Sequence, residues 1–340
     1  MAIAADAVAT GADAERVRVT TSRRSNLGRR DVVTEDEDSM TPPVWTRTRA
    51  VGPFLLRGFM STQITAAAVN ELRKRTDLPL MECKSALVEA EGDIEKAIFI
   101  LRTRNTKVGE KRAMNETAEG RVAVFVDESE RMAAIVEMRC ESAPVAKSEH
   151  FVALGNELAK FVATHSPISV AEMMVMSFDG KQTVNERVLE VIGLLRENMK
   201  VQRFARFTGD AFGSYVHHNG SIGVLVQFTS RPESATVIPD VCMHAAAANP
   251  TPVSTRREDV PAEVLTKEME LATAKALATG KPAALAAKIA EGQMKAWYGE
   301  NVLLEQPFVK DPSMTVGSLV RAAGTDVVTF VRYKVGEVVG

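Results

Sequence analysis

The chain has 340 residues, of which 45% are hydrophobic and 5% aromatic, and its formal charge at neutral pH is −2. That length suits about two or three domains, and the near balance of charge lacks the basic excess that polyanion binders carry. No run of about 18 apolar residues occurs, so nothing reads as a membrane-spanning helix.

Residues 1–60 are rich in Arg, Ser, Thr and acids and contain no Lys, the first being Lys74. Such a composition cannot support a core, and we read it as a disordered extension. Arg and Ser enrichment is also the mark of a mitochondrial transit peptide, but "TEDED" at 34–38 puts acids where such peptides avoid them. Met60 opens the first well-patterned stretch and is a candidate start.

The spacing predicts three short helices over residues 62–102. Thr65 can cap the first, with Val69 and Leu72 on one face. Pro79 suits the first turn of the second. Gly92 can end that helix in the left-handed conformation, and Asp93 can cap the third. Ala86, Leu87, Ala97, Ile98 and Leu101 form a candidate core, small enough that the unit works as an appended module. "TRNTKVGEKRAMNET" is polar and basic and reads as a linker or a frayed helix.

Residues 121–139 alternate as two strands, "RVAVFVD" and "MAAIVEMR", joined by a polar turn. The turn "CESAPVA" at 140–146 follows, then a helix to about Thr164. A second hairpin, "GSYVHHNGSIGVLVQF", surrounds Asn219-Gly220, a strong turn signal, and a helix ending in "CMHAAAANP" follows it. We read this as a weak duplication of a hairpin-plus-helix unit. Residues 261–297 are predicted helical, broken at Gly280-Lys281-Pro282 into an antiparallel pair. A helix at "TVGSLVRAA" and a strand at "VVTFVRYKV" complete the prediction.

Catalytic signatures are missing. There is no phosphate loop, dinucleotide fingerprint or nucleophile elbow. Cys83, Cys140 and Cys242 stand far apart, which fits a reducing compartment, and neither they nor the histidines have zinc-ligand spacing. Glu89 and Glu91 lie on a charge-rich helix and read as a solvated face. His217 and His218 are adjacent on a strand, so their side chains point to opposite faces and do not grip one metal. The function then lies in surfaces that bind another macromolecule. The chain is not expected to be an enzyme or to need a cofactor.

"ITAAAVNELRKRTDLPLMECKSALVEAEGDIEKAI" closely resembles the N-terminal module of the translation elongation factor Ts family. "GSYVHHNGSIGVLV", "CMHAAAANP", "TGKPAALAAKIAEGQMKAWYGE" and "EQPFVKDPSMTVGSLV" are similar to that family's core and helical hairpin, in the same order over roughly residues 62–337. The resemblance implies an α+β fold. A three-helix module similar to ubiquitin-associated domains precedes a two-part core of antiparallel strands and helices, with an inserted antiparallel helical hairpin. The divisions are a disordered extension over 1–60, the module over 61–103, a linker over 104–119, a first core subdomain over 120–207, and a second over 208–340 with the hairpin at 261–297. The implied function is guanine-nucleotide exchange on elongation factor Tu during translation elongation. The family acts without direct nucleic-acid or membrane binding, and the hairpin dimerises some relatives. The implied location is the cytoplasm, or the mitochondrial matrix if residues 1–60 act as a transit peptide.

Arg73, Leu80, Met81 and Lys84 match positions by which the family's first module touches the nucleotide domain of its partner. His244 matches a core histidine at the same interface. Two alternatives stay open: Met81 as a core residue of its helix, and His244 as a satisfied buried histidine. The strand-to-helix turn in the family usually carries Thr-Asp-Phe-Val-Ala, its Phe entering the partner near the magnesium and phosphate site. Here Ser142, Ala143, Pro144, Val145 and Ala146 occupy it, so the wedge is smaller and a carboxylate is lost. Relatives also carry a further short helix after the last strand. The alternative function is an adaptor that binds a ubiquitin-like protein through the N-terminal helices.

Overall fold

The computed structural model describes residues 64–129 and 131–337. The expected extension over 1–60 and the candidate start at Met60 lie outside the described residues.

The first three helices begin where their capping residues dictate. Helix α1 (Ala66–Thr76) starts at Thr65, whose hydroxyl accepts the Ala68 N–H at 3.2 Å. Helix α2 (Leu80–Glu89) follows Pro79. Helix α3 (Ile94–Arg112) starts at Asp93, whose carboxylate accepts the N–H groups of Glu95 and Lys96. Each cap supplies an acceptor to otherwise unpaired first-turn donors. Val69, Leu72, Leu78, Cys83, Ala86, Leu87, Ala97 and Leu101 form the core that the three helices share.

Of the two readings of the basic stretch, the helical one holds for its first part, which continues α3 from residue 103 as far as Arg112. The reason is contact with helix α7 (Val184–Leu195). The Asn105 side chain fills the space that a Cβ on Gly193 would need, and the Leu189 side chain lies likewise against Gly109. The face that α3 buries there is Asn and Gly, so hydrophobic periodicity could not reveal it.

Strands β1 (Glu119–Asp127), β2 (Met132–Cys140) and β3 (Met199–Thr208) form one antiparallel sheet in that order. Between β2 and β3 come α4 (Ala143–Ala146), α5 (Glu149–His165), α6 (Val170–Val175) and α7. The second sheet has β4 (Ala211–Val216), β5 (Ile222–Phe228) and β8 (Val327–Lys334), again antiparallel in that order. Between β5 and β8 lie α8 (Val237–Ala247), α9 (Ala262–Leu277), α10 (Ala283–Asn301), β6 (Pro307–Phe308), β7 (Asp311–Thr315) and α11 (Val316–Ala322). The mixture of helices and antiparallel strands makes the fold α+β. The duplication also runs further than its sequence signal: each unit is a hairpin, a helix, and a later strand added beside the second strand of the hairpin.

Alternation on β2 feeds two cores. Ala134, Val136, Met138 and Cys140 pack toward α5, α6 and α7. Ala133 and Ile135 join Val122, Phe212, Leu225 and Tyr333 between the sheets. At the edge of that inner layer Glu137 is 0% exposed. Its carboxylate takes the Arg203 Nε–H at 2.7 Å and lies 3.7 Å from Arg139, while the Arg203 guanidinium sits 4.2 Å from the Tyr333 ring centre. The ion pair and its stacked partner thus link strands of both sheets.

Helices α9 and α10 turn back on one another where predicted, with Gly280 at φ 70° and Pro282 opening α10. Their seam is Ala272, Ala276, Ala286, Ala290 and Met294. Among the described residues no helix is long and apolar enough to cross a membrane.

Candidate functional site

Helix α2 is amphipathic in the sense that its sequence suggests. Cys83, Ala86 and Leu87 point into the helical core. The opposite side carries Leu80, Met81, Lys84 and Val88, all exposed, with Met81 69% and Leu80 44% accessible. Met81 is therefore a surface residue and not part of the core. Arg73, on α1, is exposed as well, and neither it nor Lys84 forms an ion pair among the described residues. Exposed apolar side chains with a cation, Lys84, on the same helix side are chemistry suited to a protein partner.

The turn after β2 is a single helical turn, α4, rather than an irregular loop. Ser142 precedes it with extended backbone. It is gripped by Glu197, whose two carboxylate oxygens accept the Ser142 N–H at 3.0 Å and its hydroxyl at 2.6 Å. Pro144 sits in the first turn, where a missing N–H leaves no bond unmade. Ala143 and Pro144 form the tip, and Pro144 is exposed. Val145 is not at the tip, because its side chain packs against the core under α5 and anchors the turn. Ser148 caps α5 by accepting the Phe151 N–H and donates its own proton to the Val145 carbonyl at 2.8 Å. Beneath the turn, burial pushes the Cys140 thiol up to about 12, with the Glu197 charge adding to the shift.

Glu141 lies beside Ser142, and no sequence pattern marks it. Its carboxylate accepts the Asn198 N–H at 2.6 Å, the Asn115 amide at 3.0 Å and the Arg112 guanidinium at 3.3 Å. The Asn198 bond foremost, with Asn115 and Arg112, holds it below the usual carboxylate range.

His244, on α8, is 3% exposed. Its Nδ1 accepts the Val309 N–H at 3.2 Å, so the proton resides on Nε2, which donates to the Gln306 side-chain oxygen at 3.0 Å. The Gln306 amide then donates to the carbonyls of Pro250 at 3.0 Å and Glu300 at 2.6 Å. Burial lowers the His244 pKa, and Gln306 only partly opposes it. His244 is thus a buried histidine with both ring nitrogens occupied from within the chain. The predicted residues occupy three places: the α2 side with Arg73 on α1, the α4 turn, and a buried node at α8. His217 and His218 lie just beyond the end of β4 at Val216 and not on the strand, so their side chains are not sent to opposite faces as expected: their ring centres are 4.3 Å apart, and the His217 Nδ1 contacts the Tyr215 hydroxyl at 3.0 Å.

Comparison with known proteins adds a family. The model described as "Elongation factor TS" matches residues 141–337. Elongation factor Ts of Ralstonia nicotianae is 43% identical over 274 residues, which cover 81% of this chain and 91% of the relative. That of Ralstonia pickettii is 44% identical over the same shares. That of Thioalkalivibrio sulfidiphilus is 41% identical over 276 residues, covering 81% of this chain and 92% of the relative.

Proposed function

Because the chain belongs to the elongation factor Ts family, we propose that it is a guanine-nucleotide exchange factor of translation elongation, acting on elongation factor Tu. The observation that carries this reading is the extent of the likeness. The chain covers 91% of the length of the two Ralstonia relatives and 92% of the third, and the family match at 141–337 takes in α4, α8 and the helical hairpin.

Exchange requires no covalent step. A factor that prefers the nucleotide-free partner weakens nucleotide binding by the same factor by which nucleotide weakens it. In our reading α1–α3 serve as the ubiquitin-associated-like module of the family. Leu80, Met81, Lys84 and Arg73 hold the nucleotide domain of the partner. The Ala143–Pro144 tip, held by Ser142 and Val145, presses on its magnesium and phosphate site. Disturbing that ion exposes the phosphate charges it neutralises, GDP leaves, and GTP refills the site. A proline tip is smaller than an aromatic one but is already rigid, so docking orders little. His244 acts from beneath the surface through Val309 and Gln306. We assign the protein to the cytoplasm, with the α9–α10 hairpin as the surface for any self-association. The module over 61–103 and the core subdomains over 120–207 and 208–340 serve as the working divisions, with residues 104–112 extending the module as helix.

Equilibrium titration of labelled chain with elongation factor Tu tests the reading. Binding should be far tighter to the nucleotide-free form than to the GDP form, and added GDP should dissociate the complex. Equal affinity for both forms would overturn it.

A further inference from the structure

The α2 side and the α4 tip lie on different elements, yet a continuous set of contacts joins them. Arg196, just after α7, reaches Glu82 on α2 at 2.5 Å. Helix α3 packs on α7 through Asn105 against Gly193 and Gly109 against Leu189. Where α3 ends, Asn198 donates its amide to the carbonyls of Ala113 and Asn115. The ends of β2 and β3 are then cross-bonded reciprocally. Glu141 accepts the Asn198 N–H, and Glu197 accepts the Ser142 N–H. Glu141 also takes Arg112 and Asn115, at the end of α3. Its side chain is thus bonded to both the α3 terminus and the β3 start, while its own backbone leads directly into the α4 turn.

We propose that Glu141 is a positioning residue for exchange: it holds the α2 surface and the α4 tip at one fixed separation, so that both dock on the partner together. This rests on the exchange reading given above. Its physical basis is that two contacts on a rigid body add their binding with no ordering of the joint between them, whereas a loose joint must be ordered on docking. Glu141 touches no partner in this scheme and acts only through Arg112, Asn115 and Asn198.

The test needs two readouts. Cys83, Cys140 and Cys242 are all buried, so spin labels can be placed on cysteines introduced at Val88 on α2 and Lys147 beside α4. The full chain should give one narrow distance distribution. Glu141→Ala should broaden it and slow catalysed GDP release at least about tenfold, the low end of what losing one hydrogen bond to a charged group costs. Glu141→Gln keeps an acceptor for Asn198 and Asn115, and should restore both the narrow distribution and most of the rate. Should Glu141→Ala fail to fold, Arg112→Ala with Asn115→Ala removes the α3 bonds alone and is read the same way. The proposal is overturned if the distribution stays narrow without those bonds, if it broadens with no slowing, or if Gln is as damaging as Ala. A parent chain that releases no GDP would count against the exchange reading alone, because the distance measurement requires no partner and still decides whether Glu141 fixes the separation.

Discussion

Replacing His244 or titrating it should show how far a buried node supports the second half of the chain. Its Nδ1 is already occupied by the Val309 N–H, so a second proton would set two donors against each other and place a charge in a buried site. Burial accordingly holds its pKa below the ordinary histidine value. The unfolded chain binds the proton first, at about pH 6.5. The stability contributed by His244 is therefore complete above that pH and is lost as pH falls toward the depressed folded value. The slope is up to about 1.4 kcal/mol per pH unit. Truncation is harsher. His244→Ala leaves the Val309 N–H and the Gln306 oxygen unpaired, at about 1–3 kcal/mol for each buried group. The Lys310–Asp240 pair still holds the same turn to α8, so the total should fall near ~2–4 kcal/mol. His244→Asn keeps an acceptor for Val309, and His244→Gln keeps a donor for Gln306, so each should lose roughly half as much. Urea unfolding at about pH 7.5 and about pH 5.5, on either side of the ordinary histidine value, measures this. The parent should lose up to about 1.4 kcal/mol more than His244→Asn on acidification. An Ala variant within about 1 kcal/mol of the parent, or the same acid loss in parent and Asn variant, would refute the role given to His244.

Other predictions concern the exposed contacts and the inner layer. Met81→Ala and Lys84→Ala should weaken binding to elongation factor Tu in titration calorimetry while leaving the urea midpoint unchanged, because both side chains are exposed. Pro144→Gly frees the backbone and removes the ring, and should slow release of labelled GDP about five- to thirtyfold. Lys147→Ala is its control; Ser148 is unsuitable because it caps α5. Glu137→Ala removes the buried counter-charge of Arg203 and Arg139, which keep Glu337 at 3.8 Å and the Thr117 carbonyl at 2.9 Å respectively, so it should cost about 3 kcal/mol in urea unfolding, the low end for a broken buried pair, with Glu137→Gln costing less.

Local signals carry much of the fold. Thr65, Pro79 and Asp93 mark helix starts because capping chemistry is short-range, and alternation around Asn219-Gly220 marks a hairpin for the same reason; Gly92 places the end of α2 only approximately, since the helix stops at Glu89 and Glu91 is the first residue to turn left-handed. Strand β3 is hidden in the sequence because "MKVQRFARFT" interrupts its apolar residues with charge: Arg203 serves the buried Glu137, and the ladder shifts register opposite Glu137 and Met138. Helices α6 and α7 are likewise absent from the predicted elements, although Thr183 and Glu186 form a capping box that is a legible start for α7. At the site, the period of α2 separates Met81 from Cys83 and Leu87, whereas the match to the partner surface comes from family resemblance. The Glu141–Glu197 cross-bonds and the His244–Gln306 node join residues more than 50 positions apart. No local pattern encodes such pairs, so only the folded chain brings them into view.

Whether this chain exchanges nucleotide is decided by release of a fluorescent GDP analogue from elongation factor Tu, followed by stopped flow with excess unlabelled GDP. The rate should rise with concentration of this chain until it saturates, and Met81→Ala and Pro144→Gly should each reduce it. An unchanged release rate at saturating chain, especially together with binding of a ubiquitin-like protein to the α2 surface, would contradict the exchange function and favour an adaptor.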